Sequence, residues 1–107
     1  MGDFKQCIEV SKKALAVNDS LAGAYYNIGL AYFNQAVEMD KNSQQSRKTH
    51  QEIDGLYKSA MPYLQKYRTM APDMQELWAL PLYTIYLNLN MGKEFDEIDK
   101  LLNQKKK

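Results

Sequence analysis

Residues with the character of metal ligands, nucleophiles or acid-base groups are few in this 107-residue sequence, and their spacing limits what they can do. His50 stands near Glu52 and Asp54, a set of residue types that could hold a metal ion. Side chains two apart on a helix point away from one another, so the trio reads as a solvated face. One Cys and one His cannot supply a zinc site of the usual Cys/His kind, and a single Cys excludes an internal disulfide. Cys7 has no base beside it in sequence and falls where a small packing residue is wanted, so it is expected to be a buried structural thiol. The sequence contains no Gly-rich phosphate loop, no H-E-x-x-H and no nucleophile elbow. No catalytic, cofactor-binding or metal-ligating residue is expected, and no cofactor.

Charge points the same way. Fourteen Lys plus Arg against thirteen Asp plus Glu leave a net +1, without the basic excess of a dedicated nucleic-acid binder. Basic residues gather at Lys41, Arg47, Lys48 and His50 and again in the tail Lys105, Lys106 and Lys107. Asp40, Glu52 and Asp54 dilute the first group, and both groups read as solubilising charge. No stretch approaches the roughly 20 consecutive apolar residues of a membrane span. The opening Met1-Gly2 has the form of an N-myristoylation start, but Gln6 stands where that signal wants Ser or Thr. Neither nucleic acid nor membrane is an expected partner.

The composition, 45% hydrophobic and 25% charged, is that of an ordinary globular domain. Apolar residues recur at helical spacing, as in Tyr25, Ile28, Tyr32 and Ala36 and in Ile53, Tyr57, Ala60, Leu64 and Tyr67. Five helices and no sheet are expected. Asn18-Asp19-Ser20 separates the first two, and Ala71-Pro72-Asp73 closes the third. Asp73 with Glu76 forms a capping-box-like start to the fourth, and Met91-Gly92-Lys93 breaks the fourth from the fifth. Between helices two and three, Asp40 to Glu52 carries no core-forming side chain and reads as a solvated tip.

The helices repeat. Tyr25 and Trp78, Asp19 and Pro72, and the triplets Cys7, Ser11, Ala14 and Ala60, Leu64, Tyr67 all share an offset of 53 residues. Gly29 and Ala60 are small where two helices would cross closely, with Tyr25 and Tyr32 filling the space on either side. The run from Ala24 to Phe33, with Tyr25, Ile28-Gly29 and Tyr32, resembles the first helix of a tetratricopeptide repeat, and Ala60, Leu64 and Pro72 resemble its second helix. Gly2-Asp3-Phe4 with Cys7, Ala14 and Leu15 resembles the second helix of a preceding repeat. The resemblance implies an all-α fold of antiparallel helix pairs stacked as a right-handed α-α solenoid, and a fragment of a longer bacterial protein of that family. Residues 1–18 would be the second helix of a truncated repeat, 20–72 a repeat carrying an insertion near 38–56, 73–104 the final repeat, and 105–107 a basic tail.

The sequence departs from the family pattern in two places. A repeat is about 34 residues long, so an offset of 53 implies about 19 extra residues; two lengthened helices are expected to carry them as a protruding hairpin. Pro81 and Leu82 stand where Ile28 and Gly29 stood, and Pro81 is expected to kink its helix.

In this family the first helices of successive repeats line a concave groove for peptides. Carried over, that groove presents Tyr26, Asn27, Leu30 and Phe33 from the second helix and Ala79, Tyr83 and Tyr86 from the fourth. Asn27 matches an Asn of members that clamp a C-terminal carboxylate, but Glu76 and Leu80 replace the basic residues of such a clamp. The other reading of the aromatic residues, that they pack against the next helix layer, stays open. The expected function is a noncatalytic scaffold that binds a protein or peptide partner on an aromatic groove. Its alternatives are a small helical metal-binding or enzymatic domain, or a nucleic-acid adaptor acting through the basic tip and tail. A truncated first repeat would leave Phe4, Cys7, Ile8 and Leu15 partly uncovered, which implies a homodimer through the N-terminal helix.

Overall fold

The computed structural model describes residues 4–42 and 47–105, and these form five α-helices and no strand. In chain order they are α1 (Phe4–Val17), α2 (Ala22–Asn42), α3 (Arg47–Met70), α4 (Gln75–Asn88) and α5 (Gly92–Lys105). The Gly2-Asp3 start, the centre of the polar tip and the last two lysines lie outside the described residues, as do the side chains of Arg47, Lys48 and Lys105. Each helix packs on its neighbour in sequence, and α2 also touches α4. The shortest dimension, 22 Å, is about two helix diameters.

The central packing event is the crossing of α2 and α3. A Cβ placed on Gly29 would sit 2.7 Å from Leu64 Cγ, 2.9 Å from its Cδ2 and 3.2 Å from its backbone nitrogen. Only a hydrogen fits there, so Gly29 lets the two backbones close onto a fully buried Leu64. Around the crossing Ala36, Ala60 and Ile28 are also fully buried. One core cluster then runs from Ala36 of α2 through Ile53, Tyr57 and Leu64 of α3 to Trp78, Leu82 and Ile85 of α4 and Ile98 of α5. A smaller cluster of Ile8, Ile28 and Ala31 fastens α1 to α2.

The two long helices are present, with 21 described residues in α2 and 24 in α3. Ile53 and Tyr57, which flank the polar tip in sequence, belong to the main core. The extra length is therefore packed, at least to Ile53. Pro62 lies inside α3 and Pro81 inside α4, and both helices run on past them. Pro62 is exposed and Pro81 buried, the latter at the place Ile28 holds in α2.

Residues at the shared offset bury the same face. Tyr25, Ile28, Gly29 and Tyr32 of α2 and Trp78, Pro81, Leu82 and Ile85 of α4 all turn inward, half-buried or buried. In each helix the first aromatic also ties down the preceding turn. Tyr25 donates its hydroxyl to the carbonyl of Asp19 at 3.0 Å, and the Trp78 indole N–H donates to the carbonyl of Ala71 at 3.1 Å.

Three local expectations need correction. Asp73 does not cap α4: the N-cap is Met74, with no side-chain cap. The Met74 amide instead donates to Ala71 at 3.0 Å, and this backbone turn leads the chain into the helix. The α4 to α5 break rests on Asn90 rather than Gly92. Asn90 takes φ 58°, while the Met91 amide donates to Tyr86 and the Asn90 amide to Leu87, which is a Schellman ending with Asn in the left-handed position. Cys7 is exposed and not buried, because α1 turns Phe4, Ile8, Ser11 and Leu15 toward the protein and Cys7 lies off that face.

Replacing Gly29 by Ala gains about 1 kcal/mol of helix propensity but forces overpacking that costs about 1–3 kcal/mol. We expect Gly29→Ala to lower the urea midpoint. Gly55→Ala, in open space on α3, should raise it by about 0.5–1 kcal/mol. A Gly29→Ala protein as stable as Gly55→Ala would show that the crossing is not tight.

Candidate functional site

Most of the aromatic residues are engaged with one another. Tyr26 packs on Tyr67 with ring centroids 4.9 Å apart, Phe33 on Tyr57 at 5.9 Å, and Tyr83 on Phe95 at 4.7 Å. Tyr63 of α3 sits between Tyr25 and Tyr32 of α2, at 6.5 and 6.2 Å. These contacts join α2 to α3 and α4 to α5, so the packing reading of the aromatic residues accounts for much of them.

The seven residues assigned to the groove therefore separate. Ala79 and Tyr86 are core residues, 1% and 2% exposed, and Tyr86 accepts a hydrogen bond from Gln65 Nε2 at 3.0 Å. They face inward because α4 buries the stripe that runs through Trp78, Ala79, Leu82, Ile85 and Tyr86. Tyr26, Phe33 and Tyr83 are half-buried, Leu30 is half-buried, and Asn27 is exposed.

What α4 leaves outside is aliphatic. Leu80 is 61% and Leu87 54% exposed, and residues seven apart share one helix face. Tyr83 and Thr84, half-buried, lie between them. Glu76 is the one charged residue of α4, so a helix with an apolar core stripe also carries an apolar outer stripe. A helix hydrophobic on all sides is normally covered on all sides. On α2, Asn27, Leu30, Asn34 and Val37 recur at spacings of three, four and three, with Asn27, Asn34 and Val37 exposed. The two stripes belong to helices that touch.

From sequence Leu80 enters only as a departure from the carboxylate clamp, and Leu87 carries no expectation. The signal was there, since the run from Gln75 to Asn88 has too many large apolar residues for one buried face. Polar groups at this surface include the amides of Asn27, Asn34 and Asn88, the hydroxyls of Tyr83 and Thr84 and the carboxylate of Glu76. Among the described residues no group of three or more His, Cys, Asp and Glu is placed to hold a metal ion. No described helix is long and apolar enough to cross a membrane.

Arg68 of α3 joins three helices. Its guanidinium lies over the Trp78 ring at 4.8 Å and its Nη2 donates to Glu97 Oε1 at 2.7 Å. Arg68 and Gln65 thus add polar contacts from α3 to α4 and α5 on top of the apolar core that these helices share.

No protein-family model, no curated protein and no solved structure matches the chain.

Burial raises the phenol of Tyr26 above its ordinary value of 10.0, with Tyr67 adding to it. It does the same to Tyr57, with Asp40 and Asp54 adding, and to Tyr86, where Gln65 and Arg68 partly oppose it. Unfolded tyrosines ionise near pH 10 while these hold their protons to higher pH, so the folded state binds more protons in that window. Stability should be flat with respect to these groups below about pH 10 and fall above it. Tyr57→Phe should flatten that alkaline limb in urea titrations between about pH 8 and 11. An unchanged slope would remove Tyr57 from the linkage.

Proposed function

We propose that the chain is a noncatalytic protein-interaction module that takes an apolar peptide or helix on the outer stripes of α2 and α4. One observation carries this reading: Leu80 and Leu87 stand more than half exposed on a helix with a single charged residue. Isolated exposed leucines need no explanation, whereas two on one face of a helix that also buries a full apolar stripe mark an interaction surface. The tetratricopeptide resemblance supports the same face, since first helices of successive repeats form the peptide groove there. The contact residues of this reading are Asn27, Leu30, Tyr83, Leu80 and Leu87, with half-buried Tyr26 and Phe33 beside them in sequence. Asn27 and Asn34 suit the backbone amides of a bound segment, because their side chains offer both a donor and an acceptor.

Buried anchors in such interfaces are each worth about 2 kcal/mol, or roughly 30-fold in affinity. Leu80→Ser with Leu87→Ser should abolish capture of the partner while thermal melting stays within about 0.5 kcal/mol of the parent, as expected of surface positions. Capture by this double variant at the parent level would reject the surface.

A second reading concerns self-association through α1. Of the four residues expected to be partly uncovered, Ile8 is buried, Phe4 and Leu15 are half-buried and Cys7 is exposed. Val10 and Val17 join Cys7 on the outside of α1, 59% and 90% exposed. With half-buried Ala14 they follow the three-four-three spacing of a helix-pairing seam. Light scattering after gel filtration should show a dimer that Val10→Lys with Val17→Lys converts to a monomer. A parent chain monomeric at about 100 μM, a concentration at which even weak pairing shows, would reject it.

A further inference from the structure

A cleft of about 460 Å³ opens beside α1, on a different part of the molecule from the α4 stripe. Its origin is in the packing order. Both α1 and α3 rest on α2, yet among the described residues the backbones of α1 and α3 do not meet. The gap between them is floored by Ile8 of α1, Tyr32 of α2 and Leu56 of α3. Its rim is polar, with Lys5, Glu9 and Lys12 from α1 and Gln35 from α2. The volume lies within the usual range of small-ligand pockets, about 300–1,000 Å³.

The rim has a sign. Lys5 and Lys12 are seven residues apart, so they project from one face of α1 about 10 Å apart along its axis, within the combined reach of two lysine side chains. Glu9 offsets one of the two ammonium charges, which leaves a lining of net +1. Lys12 is already oriented: its Nζ donates to the Tyr32 hydroxyl at 3.4 Å and lies 5.9 Å from the ring centroid. That contact holds the ammonium at the cleft mouth and raises its pKa above the ordinary value. An ammonium has three donors, and the bond to Tyr32 uses one. Tyr32 is itself packed against Tyr63, with ring centroids 6.2 Å apart and planes inclined by 28°.

We propose that this cleft binds a small amphipathic monocarboxylate, with its apolar body on Ile8, Tyr32 and Leu56 and its carboxylate between Lys5 and Lys12. The apolar floor requires a hydrocarbon or aromatic body, and the net single positive charge of the rim matches one negative charge. Glu9 disfavours dianions. Gln35 and the Tyr32 hydroxyl supply neutral hydrogen-bonding groups beside the head. The proposal is independent of the α4 surface and stands or falls without it.

Methyl NMR of Ile8 and Leu56 in the intact chain tests it, with octanoate as the probe, octylammonium as its opposite-charge counterpart, and acetate as the head without the body. Octanoate should shift both methyl signals saturably, with a dissociation constant at or below about 10 mM, the weak end expected of so small a ligand. Lys5→Met and Lys12→Met keep the aliphatic stems and should each weaken binding about threefold, the size of one exposed charge contact. Glu9→Gln should tighten it by a similar factor. Both lysines are exposed, so an unchanged helical spectrum will confirm that the variants are folded. The proposal is overturned if octylammonium or acetate moves the same signals as strongly, if octanoate fails to saturate, or if neither lysine substitution changes its affinity.

Discussion

Everything in this protein hangs on the distance between α2 and α3 at Gly29 and Leu64. With less than 3 Å between the site of a missing Cβ and the Leu64 side chain, no residue larger than glycine fits this crossing without displacing Leu64. That approach decides where α3 lies, and α3 carries the groups that place the rest. Gln65 and Arg68, one and four residues past Leu64, reach Tyr86, Trp78 and Glu97. On the other side Tyr63, one residue before it, wedges between Tyr25 and Tyr32. A shift of α3 away from α2 would loosen contacts to α4 and α5 and the support of Tyr32 at once. The neighbours of one glycine therefore govern both candidate surfaces.

Helical periodicity made the five helices and the inward faces of α2 and α4 legible, because each buries a stripe whose spacing is fixed by the turn of the helix. Gly29 was legible too, since a small residue between two tyrosines has an obvious packing use. The failures share a cause, which is that side-chain type does not say which of several satisfied states a residue adopts. Asp73 has the chemistry of a cap, but a backbone turn from Ala71 to Met74 already starts α4. Gly92 has the freedom to end a helix, but Asn90 takes that position two residues earlier. Cys7 has the size of a core residue, but lies off the stripe that α1 buries.

The candidate surface was less legible than the fold. Aromatic residues are good anchors for a partner and equally good fillers between helices, and only tertiary geometry separates the uses. Tyr86 is buried with its hydroxyl bonded to Gln65, and Tyr26, Phe33 and Tyr83 each have another ring against them. The aliphatic residues that α4 leaves outside carry less chemical distinction in a sequence. Leu80 and Leu87 become informative once Leu82 and Ile85, close by in the same helix, are seen to be fully buried.

Trp78 is the sole tryptophan, and its setting makes it an optical reporter of one half of the molecule. It is 3% exposed, its indole N–H is bonded to Ala71 and its face is covered by Arg68. Its emission is sensitive to the junction of α3, α4 and α5 and blind to α1, which is held by a separate and smaller cluster. Far-ultraviolet dichroism, by contrast, weighs all five helices. An α1 that undocks early would thus leave the two signals out of step, and the chain would lack the coincident transitions of a two-state unit even though it contains a single main core.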